Sequence, residues 1–132
     1  MSWSVLLLSL ILNFLFVAAP PQAKPNREME VFPPASPVFG LLQAVKDGDL
    51  ERLKTVFSKD LRKSLEKEGW DKVLKTYQKV FEKEFGDYKL EDFTFEYIGG
   101  GEEGKVFVEH KSKKLPGLRV IKEQTDWKVN ER

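Results

Sequence analysis

The feature of this sequence that most restricts its fold is an apolar stripe between Trp70 and Phe85. Apolar side chains recur there with helical spacing, at Trp70, Val73, Leu74, Tyr77, Val80, Phe81 and Phe85. Lysine, glutamate and glutamine occupy most of the other positions. This pattern predicts one amphipathic helix of about four turns. Because so broad an aromatic face must be covered, the helix requires a second layer of structure against it.

The C-terminal third of the chain predicts that second layer, because the hydrophobic period there changes to two. Phe93, Phe95 and Tyr97 alternate with polar residues, which is typical of a half-buried strand. We expect strands at Leu90–Ile98, Lys105–Lys111, Leu118–Glu123 and Trp127–Asn130. The connections are short, so the economical topology is an antiparallel meander. The predicted fold class is α+β, with N-terminal helices, including the long amphipathic one, packed on a curved four-stranded sheet.

Shorter helices are predicted before the long one. Ser36 and Pro37 are suited to open a helix that ends at Asp47–Gly48, and Asp49 is suited to cap the next helix. Ser58 can begin a further helix that ends near Gly69. The predicted α+β domain therefore covers residues 36–132.

The N-terminal segment, residues 1–23, contains no charged side chain, and its apolar core of residues 5–19 has the length of a signal-peptide core. It predicts either a cleaved export signal or an uncleaved membrane anchor. Residues 24–35 follow as a proline-rich tether. We expect an exported protein, periplasmic or extracellular. The alternative is a domain anchored to the membrane, with membrane contact through residues 1–19 alone.

Charge and composition exclude several classes of function. The chain has 22 basic and 21 acidic residues and a formal net charge of +1, so no basic field favours nucleic acid. It has no cysteine, which excludes disulfides, thiolate nucleophiles and cysteine-ligated metal sites. With a single histidine as well, we expect neither a metal site nor a cofactor.

Aromatic residues supply the candidate ligand-binding set. Tyrosine and tryptophan often border cavities because one end of the ring system is apolar and the other is polar. The residues that we expect to line a pocket between helix and sheet are Trp70, Tyr77, Phe81, Tyr97, His110 and Trp127. Core packing is the alternative interpretation of the same residues.

Catalytic candidates are weak. His110, the single histidine, shares the strand side of Val106 and Val108, and a neighbouring strand carboxylate such as Asp92 would be its partner in acid–base chemistry. The alternative interpretation is an edge or surface histidine at the end of the strand. The strand carboxylates Asp92, Glu96 and Glu109 could pair across neighbouring strands as acid and base or bind a hard cation, but their alternation with aromatic residues favours a solvated sheet face. The glycine-rich segment 99–104 predicts a hairpin loop, and the lysines at 111, 113 and 114 predict a solvated basic loop.

Two segments carry a family resemblance. Residues 44–53, Ala-Val-Lys-Asp-Gly-Asp-Leu-Glu-Arg-Leu, and residues 120–129, which end in Trp-Lys-Val, resemble the nuclear transport factor 2-like superfamily of cystatin-like α+β cones. That superfamily includes ketosteroid isomerase. The resemblance implies a cone-shaped domain, often a ligand-binding or interaction domain, and a homodimer through the sheet. The catalytic residues of the isomerase match no motif in this chain.

These observations lead to two hypotheses for function. The first is an exported, non-enzymatic domain that binds a small apolar ligand or a protein partner. The alternative is an isomerase-like or hydrolase-like enzyme that uses a cone-lining pair of His110 and a carboxylate. A third class, cystatin-like inhibition, shares the architecture, but the sequence has no inhibitory loop pattern.

Overall fold

The computed structural model describes residues 31–131. The predicted N-terminal segment 1–23 and the first part of the tether lie outside these residues. The described part is α+β, as predicted. Its helices are α1 (Ser36–Asp47), α2 (Leu50–Thr55), α3 (Lys59–Glu68) and α4 (Trp70–Phe85). None of the helices within residues 31–131 is both long and apolar enough to cross a membrane.

The helix boundaries follow the capping residues closely. Asp49 accepts a hydrogen bond from the backbone N–H of Arg52 and caps α2, and Ser58 accepts one from the N–H of Leu61 and caps α3. Gly48 ends α1 in the left-handed region at φ 67°. The start of α1 differs from the prediction. A 3₁₀ turn at Pro33–Ala35 leads straight into the helix, so Ser36 is the first helical residue rather than its cap.

The sheet is antiparallel and has five strands where the sequence predicted four. They are β1 (Phe93–Gly99), β2 (Glu103–His110), β3 (Lys113–Lys114), β4 (Leu118–Glu123) and β5 (Asp126–Val129). The order is β1-β2-β4-β5, and β3 pairs with β2. The additional strand is therefore two residues long and falls in the segment predicted as a loop.

Strands β3 and β4 lie along the same edge of β2, with a one-residue shift in register between them. Lys113 is opposite His110, whereas Leu118 is opposite Val106. One extra residue is thus accommodated around Pro116, as in a β-bulge. Strands β2 and β3 are joined by Lys111 and Ser112. The positive φ angles of these two residues, 48° and 76°, are those of a tight hairpin turn.

The helices cover one face of the sheet, which we call the inner face. Phe93, Phe95 and Tyr97 of β1 lie opposite His110, Val108 and Val106 on this face. The side chains with least exposure include Leu53, Phe57, Val106, Val120 and Val129. Burial of these side chains removes apolar surface from water, and this is the main favourable contribution to the free energy of folding.

Both α1 and α4 reach the sheet, at different places. Phe39 of α1 makes an edge contact with Phe95, at 6.4 Å between ring centroids. Phe85, at the end of α4, contacts Phe93 at 5.1 Å and His110 at 5.0 Å. The rest of α4 packs on α1, α2 and α3. The long helix therefore meets the strands through its last turn, not along its whole length.

The connection between α2 and α3 extends the sheet beyond β5. Phe57 forms an isolated parallel bridge with Val129. The backbone N–H of Val129 donates to the carbonyl of Val56, and its carbonyl accepts from the N–H of Ser58. This connection fixes the helical layer to the last strand.

Candidate functional site

Most of the predicted ligand-binding rings contact one another. Phe57, which is fully buried, stacks on Trp70 at 6.2 Å and on Tyr77 at 6.0 Å between centroids. Tyr77 contacts Phe81 at 5.6 Å. Burial raises the pKa of the Tyr77 hydroxyl above its ordinary value. Three of the predicted residues thus form one row of packed rings along α4.

Tyr88 continues this row and ties it to α1. Its hydroxyl donates a hydrogen bond to the carbonyl of Leu42 at 2.6 Å. Burial, with a further contribution from the Asp47 carboxylate, raises the pKa of Tyr88 to about 12. The ammonium of Lys46 lies 5.2 Å from the centre of the Tyr88 ring, within cation–π range. Burial and the hydrogen bond to Leu42 stabilise the neutral phenol, and the Lys46 contact adds a second link between the ring and α1.

His110 lies on the inner face, on the side of Val106 and Val108, so the interpretation as a surface histidine is wrong. It is 7% exposed and packs against Phe93 at 4.6 Å and Phe85 at 5.0 Å between ring centroids. Among residues 31–131 its Nε2 has no hydrogen-bond partner. The carboxylate of Asp92 is paired with Lys111 at 3.8 Å. The described residues therefore do not assemble a histidine–carboxylate pair, and they contain no cluster of three or more potential metal ligands.

The basic loop is partly neutralised by acidic neighbours. Lys113 pairs with Glu84 of α4 at 2.9 Å, and Lys114 stands opposite Glu109 in the β2–β3 ladder. Together with the Lys111–Asp92 pair, these contacts anchor the β2–β3 turn to α4 and to the 3₁₀ turn Leu90–Asp92. The loop presents no separate cluster of unpaired cations.

The glycine-rich hairpin positions two of the predicted rings. Gly99 and Gly104 face each other at the closing end of β1 and β2. A Cβ on Gly104 would lie 2.6 Å from the ring of Tyr97 and from the carbonyl oxygen of Ile98, so only glycine leaves room there. Tyr97 in turn packs its ring edge-on against Trp127 at 5.6 Å. The hairpin therefore holds the Trp127 indole from one side.

Trp127 lines a surface groove with a volume of about 480 Å³, which we call the Trp127 groove. It lies between the start of α1, the end of α2 and the start of β5. Its apolar lining residues are Pro33, Pro37, Gly40, Val56 and Trp127. Its polar lining residues are Ser36, Arg52, Thr55, Thr125, Asp126 and Lys128.

The backbone of Trp127 faces this groove. Val129 directs its N–H and C=O away from β4, towards Val56 and Ser58. Since successive residues of a strand alternate in direction, Trp127, two positions earlier, directs its N–H and C=O towards the same edge. Neither group has a hydrogen-bond partner among residues 31–131. At the groove, one donor and one acceptor of the main chain are therefore without a partner within the described part of the chain.

Two cations and one carboxylate border the groove. The ammonium of Lys128 donates to the carbonyl of Thr55 at 2.7 Å, and the Nη1 of Arg52 donates to the Oε1 of Gln43 at 3.0 Å. Asp126 supplies the opposing charge. The carboxylate of Asp49 also lies 4.0 Å from the Nε of Arg52, so the two cations are balanced by one carboxylate in the groove and one beside it.

Two further grooves lie elsewhere. One, of about 380 Å³, is on the outer face of the sheet and includes Ile98, Phe107 and Leu115 in its lining. Ile98 is 60% exposed, which is unusual for a large aliphatic side chain. The other, of about 500 Å³, lies on the polar side of α4 and is lined by Asp71, Lys72, Lys75, Thr76 and Lys79.

Comparisons with family models, with curated proteins and with solved structures found no match to this chain. What defines the class of protein is therefore the fold of residues 31–131, an α+β arrangement in which a five-stranded antiparallel sheet is packed against four helices.

Trp127 was among the residues predicted to bind a ligand, whereas none of the other residues that line its groove was predicted. Pro37, Arg52 and Lys128 belong to three different elements and carry no shared motif. Only the tertiary arrangement brings them together. The one local signal was the Trp-Lys-Val ending, in which an aromatic and a cationic residue are neighbours in the sequence of the last strand.

Proposed function

We propose that this protein is an exported, non-enzymatic binding domain of the nuclear transport factor 2-like class, and that its binding site is the Trp127 groove. One observation carries the proposal. Three grooves are described within residues 31–131. Of the six residues predicted to bind a ligand, only Trp127 lines one of these three grooves.

The size and composition of the groove support a small ligand. Its volume of about 480 Å³ falls in the range of roughly 300–1,000 Å³ that is common for small-molecule sites. Trp127 is half-buried, so its indole retains surface for a ligand while Tyr97 fixes its position. Trp70, Tyr77 and Phe81 are half-buried as well, but they pack with Phe57 in one row of rings and line none of the grooves described within residues 31–131, which favours the core-packing interpretation of those three residues.

The chemistry of the groove favours binding over catalysis. Ser36 and Thr55 are its hydroxyl side chains, and the groove has no histidine to act as their base. His110 lies on the inner face among phenylalanine rings. Nucleophile and base are therefore in separate places, whereas covalent catalysis needs them within hydrogen-bond reach.

A ligand screen tests the proposal. Ligand-observed NMR with a metabolite and lipid fragment library, run on the full-length chain in a mild non-ionic detergent, should give binders. Trp127→Leu should abolish their signals, whereas Phe81→Leu, a matched loss of an aromatic ring on α4, should leave them. Binders that survive Trp127→Leu but not Phe81→Leu would place the site between helix and sheet and refute the groove.

A second candidate function is binding to a protein partner through the outer face of the sheet, with a second copy of this chain as the partner. The exposed Ile98 favours it, together with Phe107 and Leu115 beside it. Sedimentation of the full-length chain in detergent should then show a dimer that Ile98→Lys dissociates. A monomer at all concentrations tested would exclude this candidate.

A further inference from the structure

We infer that the Trp127 groove takes a neutral sugar. In this arrangement one face of a pyranose ring lies against the Trp127 indole, and the sugar hydroxyl groups bond to the polar side chains around it. The inference rests on the proposed function, since it names the ligand class of the same groove. It depends on two features of the groove, its polar lining around one aromatic residue and its balanced charge.

Polar side chains surround the aromatic residue of the groove. Six of the eleven lining residues carry a hydroxyl, carboxylate, ammonium or guanidinium group, and they come from α1, α2, β5 and the turn before β5. Groups of this kind are hydrated at a protein surface, and a ligand that displaces ordered water without replacing its hydrogen bonds loses affinity. An apolar ligand would therefore bind poorly here, whereas hydroxyl groups donate and accept as water does.

The lining side chains have hydrogen-bonding capacity left for a ligand. Within residues 31–131, no partner is found for the carboxylate of Asp126 or for the hydroxyl groups of Ser36 and Thr125. The ammonium of Lys128 has three donors and uses one of them on the carbonyl of Thr55. The groove thus offers acceptors as well as donors, and each hydroxyl group of a sugar can use both.

The balanced charge favours a neutral ligand over an ion. Arg52 and Lys128 are the cations of the groove, and Asp126 is its carboxylate. Asp49 lies 4.0 Å from the Nε of Arg52 and supplies the second negative charge. Two cations against two carboxylates leave no net charge that would select an anion or a cation. A neutral hydroxyl group still gains from such neighbours, because hydrogen bonds to charged groups are the stronger ones.

The Trp127 indole suits the apolar face of a pyranose. A sugar ring of this kind carries C–H groups on its faces and hydroxyl groups around its rim. Trp127 is half-buried, and the Tyr97 ring 5.6 Å away holds it in place, so little side-chain freedom is lost when a ligand covers the indole. A flat heteroaromatic base could also stack on the indole, but it forms hydrogen bonds only in its own plane, whereas the polar groups here come from several elements.

A panel of sugars tests the inference. The probes are the methyl glycosides of glucose, galactose, mannose and N-acetylglucosamine, studied by ligand-observed NMR with the full-length chain. The detergent is a polyoxyethylene type, because alkyl glycoside detergents would themselves present a sugar. We expect at least one probe to bind with a Kd on the order of 1 mM, as is usual for a ligand of so few atoms. Glucuronate and glucosamine, the anionic and cationic counterparts, should bind no more tightly than the neutral glycosides.

Two variants of the groove locate the bound sugar. Trp127→Leu should abolish the signals. Asp126→Asn should weaken binding about tenfold, because an amide replaces a charged acceptor. Asp71→Asn, which removes one negative charge on α4 away from the groove, should leave the affinity unchanged. The amide resonance of Val106, which is fully buried, reports whether each variant is folded.

The failure of this inference is distinguishable from the failure of the proposed function. The sugar inference is overturned if no glycoside of the panel binds, if glucuronate or glucosamine binds more tightly than every neutral glycoside, or if sugar binding survives Trp127→Leu. Equal affinities of Asp126→Asn and Asp71→Asn for the sugar would also overturn it. The proposed function depends instead on whether any library compound binds in a Trp127-dependent manner.

Discussion

The hydroxyl of Ser58, which caps α3, donates a hydrogen bond to the Oδ1 of Asn130, 72 positions later in the chain. Ser58 is only 1% exposed. Its Oγ accepts from the N–H of Leu61, so one side chain joins the start of a helix to the end of the last strand. Because the same segment pairs with Val129, the relative position of helices and sheet depends on this point.

Ser58→Ala should lower the free energy of unfolding by about 2 kcal/mol, because it removes a helix cap and a buried hydrogen bond. Asp49→Ala is the matched control, since Asp49 is an exposed cap of α2 without a tie to the sheet, and it should cost about 1 kcal/mol. Urea denaturation measures both values. Equal losses in the two variants would show that the Ser58–Asn130 bond contributes nothing.

Gly104→Ala should destabilise the domain by about 2 kcal/mol, because the added methyl group would overlap the Tyr97 ring and the Ile98 carbonyl. Gly101→Ala, in the same hairpin, has open space at its Cβ and should change stability by less than about 0.5 kcal/mol. Thermal denaturation of the two variants tests the difference. A tolerated Gly104→Ala would mean that Tyr97 does not lie across that glycine.

The stability of the domain should fall between pH 10 and pH 12. Tyr88 has an ordinary pKa of 10.0 when unfolded and about 12 when folded, so the folded state binds its proton more tightly. Its contribution is complete below pH 10 and is lost as the pH rises through 12. We expect a loss of about 2 kcal/mol over this interval.

Tyr88→Phe isolates that contribution. At pH 7 the variant should be less stable by about 1 kcal/mol, because the hydrogen bond to Leu42 is lost. Its stability should then fall less steeply than that of the wild type above pH 10. Guanidinium titrations at pH 9, 11 and 12 give the comparison, and parallel curves for the two proteins would contradict the prediction.

His110→Phe should stabilise the domain by about 1 kcal/mol. The Nε2 of His110 is buried without a partner, and a phenyl ring would pack on Phe85 and Phe93 without that cost. His110→Gln keeps polar atoms in the same place and should not stabilise. If His110→Phe proves strongly destabilising in chemical denaturation, the imidazole has a partner that residues 31–131 do not supply.

Local sequence signals were sufficient for most elements of the fold. The apolar spacing predicted α4 at Trp70–Phe85, and the structure has the helix at those residues. The caps at Asp49 and Ser58 were also predicted correctly, because capping depends on a side chain and a backbone N–H a few residues away. The alternation along β1 correctly placed Phe93, Phe95 and Tyr97 on one face.

Features that depend on register and on distant contacts were not predictable. The two-residue strand β3 exists because Lys113 and Lys114 meet β2 before a bulge shifts the register, and no local pattern marks it. The place where α4 meets the sheet depends on how the other helices fill the space. The Trp127 groove likewise requires residues more than 80 positions apart to come together.

The most direct test of the Trp127 groove is a map of amide and indole chemical shifts in the full-length chain, recorded with and without a compound that binds in the ligand screen. The groove predicts that the largest changes fall on the indole N–H of Trp127 and on the amides of Gly40 and Val56. Changes confined to Tyr77 and Phe81, or to Ile98 and Phe107 on the outer face, would contradict it.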